Sequence, residues 1–461
     1  MIFDLDFARK TLKIKPGENS NLTGVSIDTR SIKTGEMFAA IRGPRFDGHD
    51  YINKAVAAGC GALLVDTQPE PIPNCPVLVV PDVLSAMEQL ATSWRLKVNP
   101  VVIAVTGSSG KTTVKELLQL CLKEHFKSVH ATRGNLNNHF GLPLTMLNMP
   151  SDCQTLVLEM GMSALGEIAH LTNIAKPDIG IVTNVLDAHL AAFNNIDEIA
   201  KAKGELFAGL DTNSIAIFKN SAWYSTHLEK YANKSQIITF GQENLPEKKP
   251  HIYADNINLT DGNIEASLHW LDQKPIEIKL AGRGAYMVDN VLAAAAACRH
   301  VGVTPQEICQ GIGKYSPPAG RGETITALGG WQVVDDSYNA NPGSVKAAIT
   351  ALASTPKEVR RIVILGDMLE LGKQAESLHK ELAEEITKAR VSHLFTAGPL
   401  MKHLFERCKN LSTITAQHRD DPADWLGVIP QQLQPGDRVL VKGSRGMQME
   451  RVVKDLISYA L

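Results

Sequence analysis

The chain has 461 residues, a formal net charge of −2 and 44% hydrophobic residues. This length exceeds what one hydrophobic core accommodates and predicts about three domains. The nearly balanced charge gives no electrostatic argument for a nucleic-acid partner or a membrane surface, and no apolar run approaches the ~20 residues that span a bilayer.

The seven cysteines are scattered and form no Cys-x-x-Cys motif, which predicts reduced core residues and neither zinc ligands nor disulfides. The chain begins Met-Ile-Phe-Asp-Leu-Asp-Phe, without a basic segment followed by a long apolar one, so the sequence predicts no secretion signal. Both observations favour a cytoplasmic location.

The first segment, residues 1–83, is expected to form a small α/β domain without a nucleotide loop of its own. A helix is predicted over 51–58. Short β-branched and apolar runs predict four strands, at 25–27, 37–41, 62–65 and 77–80.

The second segment, residues 84–314, begins with a predicted helix over 84–96. Its strands alternate with helices, which predicts a mostly parallel sheet covered on both faces. The predicted strands are 101–105, 155–158, 179–182, 215–218 and 237–240. The stretch 252–280 alternates like an antiparallel meander, and 293–298 predicts a buried helix of small residues.

A β-branched run in this segment breaks into a short Gly/Ser loop and then a lysine. Gly107 and Gly110 permit the sharp turn that aims backbone N–H groups at a phosphate, Lys111 adds a point charge, and Thr112 offers a hydroxyl to Mg²⁺. Val105 stands where the strict Walker pattern has glycine, so the loop is a variant form. Its position between a strand and a helix favours nucleotide binding over a structural turn with an incidental lysine.

The third segment, residues 315–461, begins with a hinge-like Tyr-Ser-Pro-Pro-Ala-Gly, after which strands and helices alternate again. This alternation predicts a Rossmann-like domain, but no Gly-x-Gly-x-x-Gly occurs, which argues against a separate dinucleotide site. The predicted strands are 332–334, 361–365, 394–396 and 438–441, and the predicted helices are 345–353, 376–389 and 447–459.

Several polar residues near predicted strand ends have two open interpretations. Glu159 directly follows the predicted strand at 155–158 and is either a metal ligand or a solvent-facing glutamate. His189 follows the next predicted strand, and a lone histidine there is more often a structural hydrogen-bonding residue than a ligand. Lys201 and Lys203 have the spacing of a solvated basic helix face.

The third segment offers three further candidates. Arg321 follows the hinge, where domain closure could bring its guanidinium onto a phosphate. The string Asp-Asp-Ser-Tyr-Asn-Ala-Asn-Pro at 335–342 either contributes to a site or caps a helix. Lys-Gly-Ser-Arg at 442–445 is either an anion-binding turn or a plain loop.

Together these segments resemble the Mur ligase family over essentially the whole chain. The strings Tyr-Asn-Ala-Asn-Pro and Gly-Asp-Met-Leu-Glu-Leu-Gly are typical of its D-alanyl-D-alanine-adding branch. The resemblance rests on the motifs at 106–113, 134–138, 159–163, 202–207, 335–342, 365–372 and 441–445. It implies an α/β fold with a UDP-muramoyl substrate-binding domain (1–83), a central P-loop ATPase domain (84–314) and a C-terminal Rossmann-like ligase domain (315–461).

The resemblance also implies the nucleotide and metal ligands. ATP would be bound by Gly107, Ser108, Ser109, Gly110, Lys111, Thr112, Thr113, Asn290, Arg321 and Asp336, with Asn290 on the adenine side, Arg321 on the γ-phosphate and Asp336 on the ribose. Thr112 and Glu159 would ligate one Mg²⁺, and His189 and a carbamylated Lys203 a second. Lys111, Arg321, His189 and Lys203 would be the catalytic residues.

The implied substrate-binding residues come from all three segments. They are Thr29, Arg30, Arg45, Asn137, Asn138, Tyr338, Asn339, Asn341, Lys442, Ser444 and Arg445. One departure concerns the family pattern Gly-x-His-Asn-x-x-Asn, where this chain has Tyr286 and Met287 in place of His-Asn. Asn290 keeps its place in that pattern.

The implied reaction is ATP-driven amide formation through an acyl phosphate, joining D-alanyl-D-alanine to UDP-N-acetylmuramoyl-tripeptide. The third residue of that tripeptide, lysine or diaminopimelate, stays open. The alternatives are another Mur-type ligase that adds a single amino acid, or a P-loop switch ATPase. We expect a monomer that binds small molecules and neither nucleic acid nor a membrane.

Overall fold

The computed structural model describes residues 2–43, 46–187, 190–193, 195–242, 250–260, 262–270 and 274–460. Within these residues the chain forms three sheets, one in each of the three segments. Most neighbouring strands are parallel, and helices pack on the sheets, so the predicted three-domain α/β class is confirmed. The exact domain boundaries remain a prediction.

The first sheet is parallel and follows chain order, β1-β2-β3-β4. All four predicted strands and the predicted helix are present, whereas the first helix was not predicted. That helix begins where the Asp4 carboxylate accepts a hydrogen bond from the Phe7 amide. The elements are α1 Leu5–Leu12, β1 Gly24–Ser26, β2 Glu36–Ala39, α2 Ile52–Ala57, β3 Ala62–Val65 and β4 Val77–Val79.

Helix α3, Val83–Val98, links the first sheet to the central one. Its Trp94 indole N–H donates to the carbonyl of Met149, and the buried Arg95 guanidinium donates to the carbonyl of Ala175. Since α3 packs against α1 as well, its apolar face is shared between the two sheets.

The central sheet has the order β13-β12-β11-β10-β9-β8-β5-β7-β6. Strands β6 to β10 and β5 are parallel, and the predicted meander forms antiparallel β11 to β13. The strands are β5 Val101–Thr106, β6 Val129–Ala131, β7 Thr155–Glu159, β8 Ile179–Val182, β9 Ile215–Lys219, β10 Gln236–Gly241, β11 Ile252–Thr260, β12 Asn263–Trp270 and β13 Ile276–Ala281. The helices are α4 Lys111–Lys123, α5 Gly141–Leu147, α6 Glu167–Ala175, α7 Ile196–Ala208, α8 Ala222–Leu228, α9 Tyr286–His300 and α10 Pro305–Gly313.

The third sheet has the order β14-β15-β19-β16-β17-β18 and is parallel except for its first strand. Its predicted strands and helices are confirmed, and two further strands lie at its edges. The elements are β14 Glu323–Thr326, β15 Gln332–Asp336, α11 Pro342–Leu352, β16 Arg361–Gly366, α12 Ala375–Lys388, β17 His393–Ala397, α13 Lys402–Cys408, β18 Thr415–Arg419, β19 Arg438–Lys442 and α14 Glu450–Ser458. Among the described residues, no helix has the length and apolar character that crossing a membrane requires.

Helix α4, which follows the Gly/Ser loop, is fixed by close packing against α9 and α10. Gly311 on α10 makes this approach possible, since a Cβ there would lie 2.5 Å from Cα and 2.9 Å from Sγ of Cys121 on α4. The position of the loop therefore depends on a helix pair whose spacing permits no side chain at Gly311.

We predict that Gly311→Ala lowers the free energy of unfolding by about 1–3 kcal/mol, because α10 must move away from α4. Gly313→Ala is the matched control, since a Cβ at Gly313 meets nothing within 4 Å and alanine favours the helix. Urea unfolding of both variants checks this. Equal stability of the two variants would contradict the packing argument.

Candidate active site

The Gly/Ser loop between β5 and α4 has the conformation of a phosphate-binding loop. Gly107 and Gly110 have φ angles of +153° and +80°, and the second of these is the left-handed cap of α4. Space is also limiting: a Cβ at Gly110 would lie 2.4 Å from Oδ1 of Asn290. The loop and the N-terminus of α4 thus present N–H groups to an anion.

The segment after β8 holds this loop in place. The Ser109 amide donates to Asn184 Oδ1 at 2.9 Å, and the Thr183 hydroxyl donates to the Ser109 carbonyl at 2.6 Å. Thr183 and Asn184 were not predicted from the sequence. They could have been predicted from their position directly after the predicted strand at 179–182, because the carboxyl ends of parallel strands share one edge of the sheet.

Lys111, the first residue of α4, folds back onto its own loop, where Nζ donates to the Gly107 carbonyl at 2.8 Å. Burial lowers the pKa of Lys111, the nearby Glu159 carboxylate raises it, and the Arg321 guanidinium lowers it further. A phosphate group could replace the Gly107 carbonyl as the partner of this ammonium.

Glu159 lies buried at the end of β7, beside the start of α4. Its Oε2 accepts a 2.8 Å hydrogen bond from the Thr112 hydroxyl, and its Oε1 accepts one of 2.8 Å from the Asn137 amide. Burial of a carboxylate is unfavourable unless hydrogen bonds or a cation compensate it. The structure therefore brings together the predicted pair Thr112 and Glu159 and adds Asn137 to it.

Lys203 on α7 is 2% exposed and lines the same cleft, whereas Lys201 on the same helix is exposed. Burial and the neighbouring Lys111 ammonium hold the pKa of Lys203 well below its usual value. Among the described residues, no carboxylate forms an ion pair with Lys203. The interpretation of Lys203 as part of a solvated basic face is wrong. His189 lies outside the described residues.

The third domain contributes charges to the opposite wall of the cleft. The Arg321 guanidinium lies 4.1 Å from the ring centroid of Tyr338. The Arg445 guanidinium lies 5.6 Å from the same centroid but does not line the cleft. Lys442 Nζ donates to Asp336 Oδ2 at 2.6 Å. Burial raises the pKa of Asp336, and the Lys442 ammonium opposes that shift.

Asn341 connects the third domain directly to the phosphate loop. Its Oδ1 accepts from the Ser344 amide and caps α11, while its Nδ2 donates to Ser109 Oγ at 3.1 Å. One side chain thus ends a helix of one domain and contacts the loop of another. Of the two possibilities weighed for residues 335–342, capping is confirmed at Asn341, which also lines the cleft, and a role in a functional site stays a prediction.

Comparison with known families agrees with this architecture. Three family models match consecutive parts of the chain: the Mur ligase family catalytic domain over residues 21–95, the Mur ligase middle domain over 105–298, and the Mur ligase glutamate ligase domain over 320–445. The chain belongs to the Mur ligase family.

Individual relatives of this Mur ligase match it over nearly its full length. It is 34% identical to the UDP-N-acetylmuramoyl-tripeptide–D-alanyl-D-alanine ligase of Bacillus subtilis, over 99% of this chain and 98% of that one. The crystal structure of MurF from Acinetobacter baumannii is 28% identical, covers 98% of both chains and gives a TM-score of 0.86. MurF from Thermotoga maritima, solved in complex with ADP, is 28% identical over 94% of this chain and 96% of that one, with a TM-score of 0.80.

Most of the site residues predicted for this Mur ligase line one cleft of about 620 Å³ between the central and third domains. These are Gly107, Ser108, Ser109, Gly110, Lys111, Thr112, Thr113, Asn137, Asn138, Glu159, Lys203, Asn290, Arg321, Asp336, Tyr338, Asn339, Asn341 and Lys442. Lys219 and Asp289, an ion pair of 2.7 Å, also line it and were not predicted.

Four predicted residues lie elsewhere. Thr29 and the exposed Arg30 are in the first domain, where Arg30 pairs with Asp28 at 2.6 Å. Ser444 is buried, and its hydroxyl accepts from the Leu369 amide at 2.8 Å. Arg445 lies near Glu450, at 3.3 Å. Arg45 lies outside the described residues, and the roles of all the site residues stay predictions.

We predict that Asn341→Ser raises the KM for ATP, because serine retains the helix cap but is too short to reach Ser109. Ser109→Ala should have a similar effect, and the double variant should be no worse than either single one, with a coupling of about 1 kcal/mol. Steady-state kinetics check this, with thermal unfolding as the stability control. Strictly additive effects would show that the contact does not join the two domains.

Proposed function

We propose that this Mur ligase uses ATP to join D-alanyl-D-alanine to UDP-N-acetylmuramoyl-tripeptide, giving the UDP-muramoyl-pentapeptide precursor of peptidoglycan. The observation that carries the proposal is the single cleft in which Lys111, Glu159 and Lys203 of the central domain face Arg321 of the third domain. Relatives that carry this activity in their name, and that match the chain from end to end, support the same substrates.

The first step activates a poor acyl donor. An oxygen of the terminal carboxylate of the tripeptide attacks the γ-phosphorus of ATP, the bond to the β-phosphate oxygen breaks, and an acyl phosphate and ADP result. Two anions must approach each other, so positive charge in a water-poor cleft lowers the barrier. Lys111 would neutralise the β- and γ-phosphates and Arg321 the transferring group.

The donor set at Thr112 and Glu159 fits Mg²⁺. A buried carboxylate and a hydroxyl 2.8 Å apart supply the hard oxygen ligands that this ion prefers, and Asn137 orients the carboxylate. Among the described residues, no three His, Cys, Asp or Glu side chains cluster, so phosphate and water oxygens would complete its coordination. Bound Mg²⁺ would offset phosphate charge and orient it for displacement; a second ion near His189 and Lys203 is part of the proposal.

The second step forms the amide bond. The neutral amine of D-alanyl-D-alanine attacks the acyl carbon, a tetrahedral intermediate forms, the nitrogen loses a proton, and inorganic phosphate leaves. Water competes with the amine for the acyl phosphate. Closure of the third domain over the loop, which the Asn341–Ser109 contact accompanies, would exclude that water.

The remaining residues are assigned by position. In the first domain, Thr29, Arg30 and Arg45 would bind the UDP-muramoyl part of the substrate. Asn290 and Asp336 would bind the nucleoside of ATP. Lys442 and Asn339 would bind the dipeptide, and Ser444 and Arg445 would support the turn that follows Lys442. Both walls of the cleft come from one chain, which supports a monomer, and dependence on ATP supports a cytoplasmic location.

Lys203 would act as a carbamate. Burial and the neighbouring Lys111 ammonium lower the pKa of Lys203 and so favour its neutral amine, which can add CO₂ with release of one proton. The product is a carboxylate beside Lys111, which replaces a repulsion between two cations with an attraction. This change of sign favours modification of Lys203 over the exposed Lys201.

We predict that phosphate release requires ATP, UDP-muramoyl tripeptide and D-alanyl-D-alanine together, with one phosphate released per pentapeptide. Omission of either the tripeptide or the dipeptide should reduce the rate of phosphate release to the background. A coupled phosphate assay with mass analysis of the product checks this. Turnover without tripeptide would indicate a switch ATPase, and turnover with a single amino acid in place of the dipeptide would indicate another branch of the family.

We predict one carbamate carbonyl signal in the ¹³C spectrum of the protein equilibrated with ¹³C-bicarbonate. Lys203→Arg should abolish the signal and lower turnover by about a hundredfold or more, on the scale of lost transition-state charge stabilisation. Lys201→Arg, two residues away and exposed, should change neither. A signal that persists in Lys203→Arg would exclude Lys203 as the modified residue.

A further inference from the structure

A second cavity, of about 440 Å³, adjoins the reaction cleft on the side of the first domain. Asn138, Gly161 and Glu167 line both spaces, so the two are continuous. One wall comes from the start of α3 and the other from the loop after β7 and from α6. No site residue predicted from the sequence, apart from Asn138, lines this cavity.

The cavity lies next to the place where the acyl group reacts. Asn138 follows Asn137, whose amide holds Glu159, and Gly161 lies two residues beyond Glu159 at the end of β7. The opposite wall, on α3, directly follows the last strand of the first sheet. A substrate anchored in the first domain whose carboxyl group reaches Lys111 must therefore border this cavity.

The lining has a definite chemical character. Leu84, Leu165 and Leu171 form apolar walls, and Glu88 and Glu167 supply carboxylates. Glu88 is largely buried and pairs with His170, whose Nε2 lies 2.7 Å from its Oε1. Lysine and arginine do not occur among the described residues that line the cavity. Such a lining favours an aliphatic chain that ends in a cation and disfavours anions.

The tripeptide, which is the proposed acyl donor, has one group of this kind. Its diphosphate and its other carboxylates are anions, whereas the third residue carries an ammonium at the end of an aliphatic chain. In lysine that ammonium stands alone, and in diaminopimelate a carboxylate shares its carbon. That side chain branches from the carbon next to the reacting carboxyl group. It would therefore lie within one side-chain length of the reacting carboxyl group, and the cavity borders the reaction cleft through Asn138, Gly161 and Glu167.

We infer that this second cavity binds the ammonium-bearing side chain of the third residue of the tripeptide, with Glu88 and Glu167 as the counter-ions and the three leucines around its methylene groups. This inference rests on the proposed ligase function and adds a specificity site to it. His170 holds Glu88 in place before the substrate binds. The amine of D-alanyl-D-alanine is the competing occupant.

The test compares tripeptide substrates that carry lysine, diaminopimelate or norleucine at the third position, since norleucine has the four side-chain carbons of lysine without the ammonium. For the wild-type chain the KM of the norleucyl substrate should exceed that of the better ammonium-bearing one by about tenfold, the scale of a partly buried ion pair. The combined Glu88→Gln and Glu167→Gln variant should lose most of that ratio. Whichever charged substrate has the lower KM identifies the source of the ammonium.

Glu205→Gln is the matched control. Its carboxylate accepts hydrogen bonds from the Gly166 and Ala169 amides and supports the start of α6, but it does not line the cavity. The tenfold ratio should persist in this variant; if it disappears there as well, the effect is structural and the inference fails. Equal KM values for all three substrates in the wild type, or a change confined to the KM of D-alanyl-D-alanine, would also overturn it. Absence of product with every tripeptide would overturn the ligase function itself.

Discussion

The concentration of positive charge in one cleft is the constraint on which the rest of the site depends. Burial and Arg321 lower the pKa of Lys111, and burial and Lys111 lower the pKa of Lys203. Glu159, which accepts hydrogen bonds from Thr112 and Asn137, opposes the shift at Lys111. Like charges in a water-poor space are unfavourable until an anion joins them. A triphosphate supplies that anion, so its binding energy is available to draw the two domains together.

The sheet topology explains how these charges meet. Strands β5, β7 and β8 are adjacent and parallel, so the phosphate loop, Glu159 and the segment at Thr183 arise at one edge. The third domain approaches the same edge through Arg321 and Asn341, and the second of these touches the loop itself. A nucleotide bound between the two sheets would contact residues of both domains, so closure of the domains depends on whether the phosphate loop is occupied.

Much of the fold could be predicted because most strands are continuous runs of β-branched and other apolar residues. Much of the site could be predicted because Glu159 ends a strand and Lys111 follows another one across the Gly/Ser loop. Strands β6 and β14 were missed because Val-His-Ala and Glu-Thr-Ile-Thr are short and partly polar. The spacing alone placed Lys203 on a solvated face, because two lysines two residues apart look alike in sequence, and only the family resemblance singled Lys203 out. A helix turns by about 200° over that spacing, so Lys201 faces solvent and Lys203 the cleft. Only packing decides which one is buried.

The two adjoining cavities differ in the charged groups that line them. The reaction cleft is lined by lysine, arginine and carboxylate side chains, whereas the described lining of the neighbouring cavity has Glu88 and Glu167 and no lysine or arginine; Glu167 borders both spaces. A third residue with its reacting carboxylate at one end and its ammonium at the end of an aliphatic side chain would therefore be favoured in one orientation over the reverse one. Carbamylation of Lys203 would reduce the contrast in charge, but Lys111 and Arg321 would remain. Orientation of the reacting carboxyl group would then follow from the distribution of charge along the cleft, and the leucine walls would fix only how far the side chain enters.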